Sequence, residues 1–234
     1  MCTASWHRTP DQTVVYFNRD EQRSRSEGRP PTLERTPEGI RYLAPTDPDA
    51  GGTWIGVNEF GLFACILNAY DIRSSTTSPT QTRGELVRRV MKCTSAAPVE
   101  HQIRKALSEA YFDPFTLLWM DSFSKAQALR QHDGTLEDFP LPLSMLTTSS
   151  FESQEVHAWR SEAFAQQVRG PEDLPLFHHL ACAESPAYGV LMDREDARTV
   201  SQTNVRMTSE SLSMHYRSLP DGEWSGIAIP ARPK

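Results

Sequence analysis

Two short apolar stretches, Thr53 to Asn58 and Leu62 to Asn68, are separated only by Glu59-Phe60-Gly61. A connection of that length with a Gly is an antiparallel hairpin signal. Further strands are expected at Val14 to Asn18, Phe115 to Met120, Lys125 to Arg130, Ser144 to Ser150, Tyr188 to Met192, Arg198 to Met207 and Leu212 to Arg217. Asp133-Gly134 and Pro220-Asp221-Gly222 read as turns. Helices fall in separate blocks. Thr82-Arg83-Gly84-Glu85 has capping-box spacing before Leu86, Val87, Val90 and Met91, and Pro98 opens a second helix with the stripe Val99, Ile103, Ala106, Leu107 and Ala110. Glu155 to Val168 is a third helix closed by Gly170-Pro171, and Leu174 to Ala183 a short fourth. Hairpins and helices in alternating blocks predict an α+β protein with two facing, mainly antiparallel sheets and helices outside. The 234 residues suffice for one domain spanning 1–234.

Composition excludes several partners. With 24 basic and 30 acidic residues the net charge is −6, so no basic surface is expected for nucleic acid or anionic lipid. No apolar run approaches the roughly 20 residues of a membrane helix. The first fifteen residues lack an apolar core, so no signal peptide is expected. Four cysteines without a C-x-x-C pair suit neither a zinc site nor a disulfide framework, and point to a reducing, cytoplasmic setting. Cys65, within Phe63-Ala64-Cys65-Ile66-Leu67, reads as a core residue. Arg23 to Pro31 is polar and Pro-rich, and is expected to be a mobile loop inserted near the site.

The chemistry starts at Met1-Cys2-Thr3. Aminopeptidases trim Met before a small side chain, which would place the Cys2 thiol beside a free α-amine. A thiol titrates near 8.5 and an α-amine near 8, so the amine can act as base for its own side chain. In Asn18-Arg19-Asp20-Glu21, Arg19 could steady a thiolate or carbonyl, and Asp20 or Glu21 could hold the α-ammonium. Asn68, a short amide ending an apolar strand, could donate to an oxyanion. On spacing alone Asn18 to Glu21 is ordinarily a charged turn, and Asn68 equally a strand-end turn residue. His178-His179 diverge on a helix and lack a third ligand, so no metal site is expected. His101 and His157 are expected in solvent, Trp119 and Trp159 in the core or a groove wall. Arg160, at mid-helix, could reach the site but is expected rather in an exposed salt bridge, and Arg198 as a strand-edge charge.

Met1-Cys2-Thr3, Asn18-Arg19-Asp20-Glu21, Gly51-Gly52-Thr53-Trp54-Ile55-Gly56-Val57-Asn58 and Gly61-Leu62-Phe63-Ala64 together resemble the NRDE family, also called the transport and Golgi organisation family. The resemblance resumes at Leu146 to Ser150, Glu155 to Phe164 and Arg194 to Thr203. That family is similar to N-terminal nucleophile hydrolases of the choloylglycine hydrolase and penicillin V acylase type. The kinship implies a four-layer αββα sandwich and hydrolysis of a linear non-peptide amide of an acyl substrate with an apolar part. Cys2 would be the nucleophile and Asn68 the oxyanion donor, with no metal or organic cofactor. It equally implies a non-catalytic alternative, handling of haem or an acyl lipid. Two positions depart from those amidases. They carry Arg-Asn-x-Asp where this chain has Arg19-Asp20-Glu21, leaving Asp20 or Glu21 to hold the amine, with Asp20 favoured. They carry Leu-Thr-Asn where Leu146-Thr147-Thr148 stands here, so Thr148 takes the place of a substrate-binding amide.

Overall fold

The computed structural model describes residues 1–70, 80–132 and 134–232. In chain order its first half runs β1 (Cys2–Arg8), β2 (Gln12–Gln22), β3 (Arg29–Arg35), β4 (Arg41–Thr46), β5 (Ile55–Asn58), β6 (Leu62–Asn68), α1 (Gly84–Val90) and α2 (Val99–Glu109). The second half runs β7 (Phe115–Asp121), β8 (Gln127–His132), β9 (Thr135–Asp138), β10 (Met145–Thr148), α3 (Ser153–Gln167), α4 (Leu174–His178), β11 (Ala197–Thr208), β12 (Ser211–Ser218) and β13 (Ser225–Pro230). One sheet has the order β10-β1-β2-β11-β12-β13 and the other β3-β4-β5-β6-β7-β8-β9, with antiparallel pairing throughout.

Side-chain alternation stacks these sheets into four layers. On β6, Phe63, Cys65 and Leu67 face the other sheet and meet Val15, Phe17, Val205 and Met214. The intervening Leu62, Ala64 and Ile66 face outward onto α1 and α2, against Leu86, Val87, Val90, Val99 and Ile103. Burial on both faces explains why β6 reads as an unbroken apolar run. Outside the first sheet, α3 and α4 pack Ala163, Phe164, Leu174 and Phe177 on Val14 and Met145. The expected αββα sandwich is therefore the observed one. No helix of the described residues is long and apolar enough to cross a membrane.

Two glycine features hold the pocket-forming loops. Gly61 ends the β5–β6 loop at φ +73°, a value only Gly adopts freely, and donates to the Asn58 carbonyl at 2.8 Å. Gly52 and Gly84 pack backbone to backbone: a Cβ on Gly84 would stand 2.6 Å from the Thr53 nitrogen. That contact seats the Gly51-Gly52-Thr53-Trp54 loop on the start of α1.

Several local expectations change. Asn18 to Glu21 is no turn; it lies inside β2, hydrogen-bonded to β1 and β11. Arg29 to Pro31 belongs to β3 rather than to a mobile loop. The prolines are tolerated because β3 is an edge strand with irregular register there. Tyr188 to Met192 forms no strand, since the carbonyls of Tyr188, Gly189 and Val190 accept from the Arg160 and Asn18 side chains instead of a ladder. Thr82 accepts from the Gly84 N–H at 3.4 Å, and Arg83 stands at the cap position without a side-chain cap bond, so no capping box closes. Helix α4 stops at His178, and β8 starts at Gln127. Of the turn at Asp133-Gly134, Asp133 lies outside the described residues. Arg198 sits on β11, an interior strand, not an edge.

Candidate active site

Cys2 pairs with Arg19 of β2 on one side and with Thr148 of β10 on the other. Paired residues share a face, so Cys2, Arg19 and Thr148 all point between the sheets. Asn68 reaches the same region from the facing sheet, at the end of β6. Cys2, Arg19, Asp20 and Asn68 line one cavity of about 330 Å³, together with Met1, Trp54 and Arg83. Thr148 lines a neighbouring cavity of about 280 Å³ with Tyr70 and Thr116.

Arg19 is almost sealed from solvent. Its guanidinium lies over the Trp54 ring, 4.5 Å from the centroid, and its Nη2 reaches Glu21 at 3.2 Å and Asp47 at 3.4 Å. Its Nη1 has no hydrogen-bond partner among the described residues. The Asn68 amide donates to the Tyr70 hydroxyl at 2.7 Å, and that hydroxyl accepts from the Met1 ammonium at 3.0 Å. Although 40% of Tyr70 is exposed, its hydroxyl end is desolvated and its pKa is pushed up to about 12, an effect the Asn68 bond partly offsets. The Met1 ammonium also donates to the Asp20 carbonyl at 3.3 Å, while the Met1 side chain packs on Met192 and Ala197. Burial pushes the Cys2 thiol up, and Asp20 adds to this; the terminal ammonium and Arg19 oppose it. The thiol is therefore protonated at neutral pH in this state.

Asp20 faces the other way, toward the helices. Its Oδ1 accepts from the Thr199 hydroxyl at 2.7 Å, and its Oδ2 has no hydrogen bond among the described residues. Burial raises its pKa against the pull of Arg160, 3.9 Å away, and of the terminal ammonium. Arg160 is fully buried, not an exposed surface charge as the sequence suggested. It donates to the hydroxyls of Thr3 (2.8 Å) and Thr147 (3.0 Å) and to the carbonyls of Gly189 (2.7 Å) and Tyr188 (3.1 Å). Asn18 donates to the carbonyls of His178 and Val190, both at 2.9 Å. Its oxygen must then accept from His178 Nδ1–H (2.9 Å), so His178 Nε2 accepts from the Ser5 hydroxyl (2.7 Å). His178 is thus a neutral structural residue, held down to a pKa of about 3 chiefly by burial. His179 points elsewhere, and the described residues contain no group of three candidate metal ligands.

Sequence reasoning missed Tyr70, Arg83 and Thr199, and favoured an exposed salt bridge over the inward reach of Arg160. Tyr70 carries a signal, two residues beyond Asn68. Arg83 hid inside the capping-box reading, and Thr199 is found only by pairing β11 with β2 opposite Asp20.

The family model described as Transport and Golgi organisation 2 matches residues 1–174. No curated protein sequence matches the chain. Among solved structures, the fold is similar to penicillin V acylase from Agrobacterium tumefaciens, with TM-score 0.59 and 13% identity over 97% of this chain and 86% of that one. A mutant conjugated bile acid hydrolase from Clostridium perfringens gives 0.58 and 12% over 100% and 97%. The Caenorhabditis elegans ortholog of N-acylethanolamine-hydrolyzing acid amidase gives 0.55 and 12% over 87% and 92%. At such identities the likeness is one of fold.

Proposed function

The chain belongs to the Transport and Golgi organisation 2 family, and from that premise we propose that it is an amidohydrolase for a linear non-peptide amide, with Cys2 as N-terminal nucleophile. The observation that carries this reading is the convergence of Cys2, Arg19 and Asn68, from two sheets, on one cavity. The solved relatives in fold are named as acylases and amide hydrolases, which supports the reaction class.

With Met1 attached, the Cys2 nitrogen is an amide and has no basicity. Excision of Met1 exposes an α-amine titrating near 8, which accepts the thiol proton as sulfur attacks the substrate carbonyl carbon. The Asn68 amide, turning from Tyr70, and a backbone N–H receive the oxyanion. The α-ammonium then protonates the departing amine as the C–N bond breaks. Water, activated by the same amine, hydrolyses the thioester and returns the thiol. Asp20 is the proposed anchor of the α-ammonium because the terminal ammonium already acts on its carboxylate and its buried Oδ2 lacks a hydrogen bond among the described residues. Thr148 is the proposed contact for the acyl side. The cavity is at the small end of ligand sites, which suits a compact acyl group.

Intact-mass spectrometry of the purified protein is expected to give a chain one Met lighter. A p-nitrophenyl acyl ester is then expected to leave an acyl adduct on Cys2, absent in Cys2→Ala. Retention of Met1, or equal acylation of Cys2→Ala, ends this proposal. The rival, haem or acyl-lipid carriage in the cytoplasm without catalysis, rests on the resemblance; a haem titration that changes the Soret band would support it.

A further inference from the structure

A desolvated charge is stable only when it is paired. Three guanidinium groups line the Cys2 cavity, and they are unequally served. Arg25 meets Asp47 at 2.6 Å, and Glu21 and Asp49 at 3.7 Å each. Arg19 meets Glu21 and Asp47, and its sealed Nη1 has no partner among the described residues. Arg83 is half-buried and donates through Nη1 to the Pro114 carbonyl at 3.1 Å. It enters no ion pair among the described residues. Burial holds its guanidinium below the ordinary value, with Tyr70 and Asp113 opposing from longer range. The Gly52–Gly84 contact fixes the backbone of Arg83 beside the loop that carries Trp54.

We propose that Arg83 binds a carboxylate on the acyl part of the substrate, so that the pocket selects amides of a compact dicarboxylic acid. A planar guanidinium fork matches a carboxylate in charge and in shape. The two carboxylates nearest Arg19, Glu21 and Asp47, are already engaged by Arg19 and Arg25, so they leave Arg83 unneutralised. Asp113 also lines the cavity, but acts on Arg83 only from longer range. This inference deepens the amidohydrolase reading and, for turnover, rests on it.

The test compares glutaryl-p-nitroanilide with its neutral glutaramide analogue, using Met1-processed protein. A charge-assisted contact predicts a preference for the acid of about 10- to 100-fold in kcat/KM, expressed mainly in KM. Arg83→Gln is expected to bring that ratio toward one, and Arg83→Lys to keep part of it. Calorimetric titration of glutarate into Cys2→Ala, and into Cys2→Ala with Arg83→Gln, reads the carboxylate site without chemistry. Heat in the first and none in the second supports the assignment. Glutarate binding without turnover of either anilide sinks the hydrolase reading and keeps Arg83 as an anion site. Turnover with no acid preference, or a preference unchanged in Arg83→Gln, overturns the assignment, as does failure of glutarate to bind Cys2→Ala.

Discussion

The two faces of the β10-β1-β2 ribbon carry residues of similar polarity and put them to opposite uses. Toward α3 and α4, Thr3, Ser5, Asn18, Asp20 and Thr147 join Arg160 and His178 in a dry hydrogen-bonded layer. Toward the other sheet, Cys2, Arg19 and Glu21 open on the cavity. The tetrad Asn18-Arg19-Asp20-Glu21 is split between them by strand parity, two residues to each face. The lesson is that the sealed face, hydrogen-bonded except at Asp20 Oδ2, holds the ribbon rigid, while the open face borders a cavity that a ligand can enter.

The sharpest way to break this comparison is to remove the one group of the open face proposed to react. Cys2→Ala is expected to lower amide hydrolysis by roughly 10⁴-fold while thermal unfolding barely moves. A large loss of stability would show that the open face is structural as well.

On the sealed face, Arg160→Met is expected to cost about 3–5 kcal/mol, because it strands the buried Asp20 carboxylate. Urea unfolding measures this. Adding Asp20→Asn should recover part of the loss. Strict additivity would mean that the 3.9 Å pair is not coupled.

The pH dependence of stability separates two sealed groups by sign. His178 has its folded pKa depressed to about 3, below the ordinary 6.5, so the unfolded chain binds more protons between these values. Its contribution is full above pH 6.5 and is lost on acidification at about 1.4 kcal/mol per pH unit. Asp20 is raised above 3.8 by burial, so its contribution runs oppositely and falls as pH rises through its folded pKa. Unfolding curves from pH 3 to 7 for His178→Asn should be flatter on the acid side than the parent's, and those for Asp20→Asn steeper. The same slope in all three proteins would contradict both assignments.

The smallest effect is expected on the open face away from the nucleophile. Glu21→Gln breaks a partly exposed pair with Arg19 and should change stability by under about 1 kcal/mol. A loss comparable to that of Arg160→Met would erase the distinction between the faces.

Legibility differed by element. The β5–β6 hairpin, β7, β11 and β12 announce themselves through apolar runs with turn residues, and α1 and α2 through apolar stripes. Strand β1 does not, because Thr3 and Ser5 are buried polar residues that resemble an exposed face until His178 and Arg160 are laid over them. Strand β3 was hidden by Pro30 and Pro31, which only its edge position makes acceptable. Arg160 looked like a solvent residue since a lone Arg on a helix usually is one. Nothing local reveals the hydroxyls and loop carbonyls that absorb its donors. The mutual proximity of Cys2, Arg19 and Asn68 was expected from resemblance, whereas Arg83 and Tyr70 entered through packing of the second sheet.

What the chain determined by itself is parity: covalent geometry sends successive strand residues to opposite sides, so Asn18 and Asp20 had to part from Arg19 and Glu21 once β2 was a strand. Which of those sides is dry and which is open was decided only by the layers placed against them. Solvation belongs to the space a side chain enters, and that space is bounded by α3, α4 and the facing sheet, all distant in sequence from β2.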